Sequence, residues 1–283
     1  MTTLHRVLCA SGALGPSGET GIDEVLAWGH LLPVDGIEFL IRNSHRGRLE
    51  EILPQLRETG IDFPVVHLTK GVAARLPSAE AREELDQDLR FAAALGARLG
   101  VLHLWDLPDS DRDFDGRLAA YRIAREIAAE QGVDVGIESI PCTFASPLRN
   151  LRRLLDRYPD TMVVYDTEFL AAHGELEEAL EDAALWRAVQ HIHVKDFEES
   201  LAESDGRRRW RGPGEGAVDF RAVSAAIRDQ GFAGAVSLEV GPQRPAEGPD
   251  RPALRRVLEI MATHDWDFGG AGQSATAAAD WRG

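Results

Sequence analysis

Eight short runs rich in β-branched and aromatic residues recur along the chain, and a longer stretch of helical period follows each one. No other feature limits the fold as tightly. The runs are HRVLCA (5–10), DGIEFLI (35–41), DFPVVHL (62–68), RLGVLHL (98–104), VDVGIES (133–139), TMVVYDT (161–167), QHIHVK (190–195) and GAVSLEV (234–240). Helical patterns lie at about 20–31, 48–59, 78–95, 116–131, 147–157, 175–188, 219–230 and 250–263. Gly60, Gly96, Gly132 and Gly231 follow four of them as stop signals, and Ser78 and Asp219 stand where N-caps belong. Eight strand–helix units predict an α/β chain folded as one (β/α)8 (TIM) barrel, and 283 residues suit it. A doubly wound open sheet is the rival, but the first strand–turn, CASGALGPSG, lacks the G-x-G-x-x-G fingerprint. The barrel is expected to occupy 1–264. The remaining 265–283, DWDFGGAGQSATAAADWRG, has no clear period and reads as a loosely attached tail with two tryptophans available to dock.

Composition removes several functional classes. Hydrophobic residues make up 44% of the chain, enough for a real core. A net charge of −16, from 31 basic and 47 acidic residues, repels phosphate backbones, so no nucleic-acid partner is expected. Cys9 and Cys142 form no C-x-x-C pair, as in a reduced compartment. The opening MTTLHRVLCASGALG is too short in apolar residues for a signal peptide, and no run reaches the ~18 that a membrane helix needs. The expectation is a cytoplasmic protein without a membrane partner.

Side chains alternate along a strand, so in a barrel one set meets the helices and the other meets the axis. In the seventh run Ile192 and Val194 suit the helix layer, which turns His191, His193 and Lys195 to the axis. The same parity turns Glu138, Asp166, Glu239, His103, His67 and Glu38 inward from the other runs. A barrel core is ordinarily filled with branched apolar residues. So many buried ionisable groups need either a hydrated, salt-linked mouth or a cation. Glu138, Asp166, His193 and Glu239 fall on four consecutive strands. Three carboxylates and one imidazole make a hard, oxygen-rich set, suited to a divalent ion with positions open to substrate. One such ion is expected, Mn2+ first, with Mg2+, Co2+ or Zn2+ as alternatives. His67 and His103 are equally suited to orienting substrate or satisfying a neighbour.

These residues resemble the xylose isomerase-like barrel superfamily over about residues 4–263. The most specific pieces are GIES, YDT, HIHVKD, GPGEGAVDF and VSLE. The resemblance implies that Glu138, Asp166, His193 and Glu239 bind one metal and that Glu138 and Glu239 serve as acid and base. It implies a sugar or sugar phosphate isomerase or epimerase working through an ene-diolate, with a dehydratase of an inosose or dehydroshikimate-like compound as alternative. The superfamily also contains apurinic/apyrimidinic endonucleases, a distant alternative. The family often reads Asp-Thr-x-His after strand six, where this chain has Asp166-Thr167-Glu168-Phe169, and no histidine lies between His193 and His264. Both departures remove histidines that the endonuclease branch uses.

Lys195, next to the metal histidine, is placed to bind a substrate oxygen or to assist departure of hydroxide. His67, His103, Glu38 and Trp105 complete the expected substrate contacts; the indole would stack on an apolar sugar face. The partner implied is a small polyol, sugar or keto-acid. Barrels of this kind often pair, so a homodimer is the assembly to test for. The loop at about 197–218 is long enough for a lid, and its RRRWR (207–211) reads either as an anion-capturing island or as a solvated run. DRDFDG (111–116) imitates a calcium loop, but Arg122 stands where the closing glutamate belongs. GPGEG (212–216) reads as a tight turn into a helix, since no P-loop lysine follows.

Overall fold

The computed structural model describes residues 5–14, 22–105, 111–142, 144–197, 210–239 and 252–269. Eight strands form the barrel: β1 (Arg6–Ala10), β2 (Gly36–Leu40), β3 (Val65–His67), β4 (Leu99–Leu102), β5 (Asp134–Glu138), β6 (Met162–Asp166), β7 (Val189–Val194) and β8 (Ala235–Leu238). All pair in parallel, and β1 closes the ring against β8. Helices between the strands complete the expected single (β/α)8 barrel. Among the described residues no helix is long and apolar enough to cross a membrane.

Local chemistry accounts for the helix ends. The Ser78 hydroxyl accepts from Ala81 N and opens Ala79–Leu95; Asp219 accepts from Arg221 N and Ala222 N and opens Phe220–Asp229. Gly60, Gly96, Gly132 and Gly231 all take positive φ, as stop signals do. Between β6 and β7, two details depart from the periodicity. The helix expected over 175–188 is split into Leu176–Glu181 and Ala183–Trp186, because the Asp182 side chain caps the second piece from inside the run. A short helix, Thr167–Ala172, springs directly from β6, its first turn held by Asp166, whose Oδ1 accepts from Phe169 N at 3.0 Å.

The alternation sorts the core into two layers. Ile37, Phe39, Val66, Leu68, Leu102, Leu104, Val135, Ile137, Val163, Tyr165, Ile192, Val194, Val236 and Leu238 pack with the helices. Leu8, Val65, Leu99, Val101 and Val164 form a separate cluster on the axis, with Met162 and Ala235 against it. One irregularity matters. The β6–β7 register shifts, so that Val163 pairs with Val189 but Val164 pairs with His191. The extra residue, exposed Gln190, turns the strand over: Val189 joins the helix layer, whereas His191, two residues on, faces the axis.

At the chain's end Trp266 is buried, with its indole N–H directed at Met261 O (3.1 Å) and its ring edge-on to His5. Residues 270–283 lie outside the described residues.

Candidate metal centre

The four residues expected on consecutive strands do converge. Glu138 ends β5, Asp166 ends β6, His193 is near the end of β7 and Glu239 directly follows β8. One ligand atom from each lies within 4.8 Å of all the others. His193 Nδ1 is the hub, 2.8 Å from Glu138 Oε1, 3.1 Å from Glu239 Oε2 and 3.9 Å from Asp166 Oδ2. Three are fully buried; Glu239, 9% exposed, faces the opening.

Short polar links hold the strand ends in place. Ser139 Oγ accepts from Asp166 N at 2.8 Å and ties β5 to β6. Thr167 Oγ1 donates to Lys195 O (2.7 Å) and accepts from Lys195 N (2.9 Å), tying β6 to β7. Asp166 divides its work: Oδ1 caps the helix, which leaves Oδ2 for the axis.

Among the described residues, Lys195 supplies the nearest fixed positive charge. Its Nζ lies 2.7 Å from Asp166 Oδ2, 2.9 Å from Glu239 Oε2 and 4.0 Å from Glu138 Oε1, with the Phe169 ring beneath it. Burial would lower the His193 imidazolium, but the charges of Glu38, Glu138 and Glu239 hold it well above its ordinary value. Burial likewise opposes ionised Glu138, yet His193 and His103 hold it well below the usual carboxylate range. Asp166 fares worse: burial pushes it up to about 7 despite Lys195.

The donor set fits a divalent cation. Among the described residues, Asp166 Oδ2 and Glu239 Oε2 are buried and accept no well-aligned hydrogen bond, although Lys195 Nζ is near both. Two buried carboxylate oxygens with unclaimed lone pairs, aimed at one imidazole nitrogen, form a hard site with more negative charge than its own cations answer. Two further groups among the described residues come within ligand range of one another: His67, His103 and Glu138, and Glu38, His191 and His193.

The remaining expected contacts divide. His103 Nε2 lies 2.6 Å from Glu138 Oε2, and His67 Nε2 lies 3.3 Å from the same oxygen, so both histidines border the cluster. Burial lowers the His67 pKa. Trp105 is not at the opening: its side chain is fully enclosed, its indole N–H donates to Ile140 O at 3.0 Å, and it packs on Phe114. Glu38 is also not at the opening. It is wholly buried, with one oxygen 2.9 Å from His191 Nε2 and the other 3.0 Å from His193 Nε2. The pairing with His191 could not be read locally, since 153 positions separate the two.

Asp196, the last letter of HIHVKD, has a role that alternation along the strand does not reveal. Its carboxylate accepts from the backbone N–H groups of Phe197, Gly214, Gly216 and Val218. The glycines of GPGEG answer to it: a Cβ on Gly216 would collide with Asp196 Oδ1 and Phe197 O. Gly214 has φ 84° and lies against Phe268. Asp196 thus clamps both ends of the long loop after β7, where Asp196–Phe197 pairs antiparallel with Trp210–Arg211. Arg211 is exposed; Arg207, Arg208 and Arg209 lie outside the described residues. In DRDFDG, Asp113 caps the helix Phe114–Gln131, and Asp111 accepts from Phe144 N, Ala145 N and Asn150 Nδ2.

A family described as "Xylose isomerase-like TIM barrel" matches residues 26–264. No curated protein is similar enough to count as a match. Among solved structures, a xylose isomerase domain protein from Alicyclobacillus acidocaldarius subsp. acidocaldarius is 19% identical, with a TM-score of 0.67, covering 91% of this chain and 99% of that one. A 3-keto-D-glucoside 4-epimerase from E. coli is 19% identical, with a TM-score of 0.65, over 91% and 98%. The probable 3-DHS dehydratase AsbF of Bacillus anthracis, involved in petrobactin synthesis, is 15% identical, with a TM-score of 0.64, over 91% and 99%. At these identities the likeness is one of fold.

Proposed function

The chain belongs to the xylose isomerase-like TIM barrel family, and from that premise we propose that it is a divalent-metal-dependent isomerase or epimerase of a small sugar or sugar phosphate. One observation carries the reading: the ligand atoms of Glu138, Asp166, His193 and Glu239 come together at the open end of the strands. These four would hold the metal, with Mn2+ the first candidate. A bound divalent ion supplies polarisation of the substrate carbonyl and charge stabilisation for the ene-diolate.

The chain's own residues then move the proton. Glu138 and Glu239 approach His193 Nδ1 from strands on either side of the β6–β7 pair, so they reach a substrate from different directions. One removes the proton α to the carbonyl and the other returns one. Return to the neighbouring carbon isomerises; return to the opposite face of the same carbon epimerises. His103 and His67 steady Glu138 through its second oxygen. Lys195 is within reach of a substrate oxygen and neutralises charge as it develops.

The position of Lys195 also favours a second reading. An ammonium 2.7–2.9 Å from two of the proposed ligands can hold a departing hydroxyl, and elimination then gives a dehydratase of a polyol keto compound. Cleavage at abasic DNA sites is the distant third, opposed by the net charge of −16 and by Phe169 where that branch carries histidine.

Metal content by mass spectrometry is expected to show about one divalent ion per chain. A panel of keto-sugars, inososes and dehydroshikimate followed by NMR in D2O is expected to show exchange at one substrate carbon. Glu138→Gln and Glu239→Gln should each abolish that exchange while circular dichroism is unchanged. A variant exchanging near the wild-type rate removes its glutamate from acid/base duty; metal-stripped protein that exchanges at full rate removes the metal.

A further inference from the structure

Glu38 and His191 are misplaced for a barrel interior. Each sits in register with an apolar residue of the axial cluster, Glu38 with Val65 and His191 with Val164. Branched apolar side chains would fill this layer at no electrostatic cost. Instead it carries a carboxylate and an imidazole, both wholly buried. Buried charge of this kind is expensive unless it is fully bonded.

Here it is bonded, and asymmetrically. Glu38 Oε1 takes His193 Nε2 at 3.0 Å and Oε2 takes His191 Nε2 at 2.9 Å. Among the described residues His191 Nδ1 has no hydrogen-bond partner, which leaves Nε2 as the nitrogen that donates to Glu38. Across the His193 ring, Nδ1 faces the three proposed metal-binding carboxylates. Both ring nitrogens meet a carboxylate, Nδ1 at 2.8 Å from Glu138 and Nε2 at 3.0 Å from Glu38, but Glu38 alone of the two stands outside the proposed ligand set.

Resting on the metal-centre reading, we propose that Glu38 is a positioning residue. It accepts the Nε2 proton of His193 and so fixes Nδ1 as the ligand atom, while His191 locks the carboxylate in that orientation. Carboxylates behind ligating histidines hold ring and tautomer in this way, and their loss typically weakens metal binding about 10–100-fold. Glu38 touches neither substrate nor metal; its effect passes through His193.

The test uses full-length protein labelled with 15N-histidine and Zn2+ as a diamagnetic probe. On Zn2+ addition the His193 Nδ1 resonance is expected to shift while Nε2 stays protonated. Chelator competition is expected to show Zn2+ held about 10–100-fold more weakly by Glu38→Ala. Glu38→Gln keeps an acceptor oxygen and should lose less. Glu38→Ala binding Zn2+ as tightly as wild type, or Nε2 being the nitrogen that shifts, overturns the assignment and leaves the metal centre standing. Wild-type protein that binds neither Zn2+ nor Mn2+ takes the metal centre down and this assignment with it. The wild-type spectrum decides even if Glu38→Ala does not fold.

Discussion

Along the barrel axis the inward strand positions carry two kinds of side chain. At the lower end Leu8, Val65, Leu99, Val101 and Val164 close the floor as an apolar plug. Two residues further along β3 and β6, His67 stands above Val65 and Asp166 above Val164; His103 follows Val101 on the chain after β4. The floor follows the rule for barrel interiors except at Glu38 and His191, in register with Val65 and Val164, and the upper end breaks it throughout. Apolar burial at the floor stabilises the fold, whereas carboxylates crowded at the top work against one another. The fold therefore tolerates the upper set only because the strands below are already fixed, and the upper set is where the proposed chemistry would lie.

Exchanging one residue at each level separates these roles. The largest effect is expected from Glu138→Gln, with loss of turnover on the order of 10²–10⁴-fold, the range for a general acid or base, in a chain that still folds. Next is Leu8→Ala at the floor. It removes a fully buried side chain from the plug and should cost about 2–5 kcal/mol in urea unfolding. Activity per folded molecule should be retained. A floor variant that loses turnover while still folded, or a Glu138→Gln that unfolds, erases the division between the two levels.

Metal addition is a gentler probe of the same contrast. An ion that binds only the folded state at about a hundredfold over its Kd adds about 2.7 kcal/mol. For a chain of this size that is roughly 5–10 °C in Tm. Asp166→Asn should abolish the rise, because asparagine caps the helix Thr167–Ala172 about as well as aspartate but is a poor ligand. Leu8→Ala should show the full rise from its lower starting point. Equal shifts in wild type and Asp166→Asn would place the ion somewhere other than the upper end.

How much of this was legible in the sequence follows from which contacts are local. Alternation is local, so the facing of Glu138, Asp166, His193 and Glu239 could be read strand by strand from their apolar neighbours. The single-residue shift at Gln190 could not, since it exists only relative to β6. Parity counted back from His193 gives the right facing for His191 and the wrong one for Val189. Glu38 was legible as inward, but its partners stand across the closed ring, and only closure shows that both its oxygens are spent. Trp105 was read by its neighbour His103, while its own fate was settled by a carbonyl 35 positions away. The capping helix after Asp166 was hidden because a strand runs into it without a loop.

The smallest expected effect tests whether the upper end's burden extends beyond the axis. Asp88, on the helix Ala79–Leu95, is 2% exposed and accepts from Thr69 N at 2.9 Å, bracing the chain two residues past His67. Burial outweighs that hydrogen bond and pushes Asp88 up to about 6. The unfolded carboxyl titrates near 3.9. Between about pH 4 and pH 6 the folded chain therefore keeps a proton that the unfolded chain has released. More protons bound by the folded state means that stability falls as pH rises through this window, then levels off above it. Asp88→Asn has nothing to titrate and keeps an acceptor for Thr69 N. The difference in unfolding free energy between the two proteins should change by about 1–3 kcal/mol from pH 4 to pH 6. The variant should gain relative to wild type at the upper end of the window. If urea titrations of the two run parallel from pH 4 to 7, the carboxylates that brace the upper loops impose no such burden, and the contrast with the floor is confined to the axis.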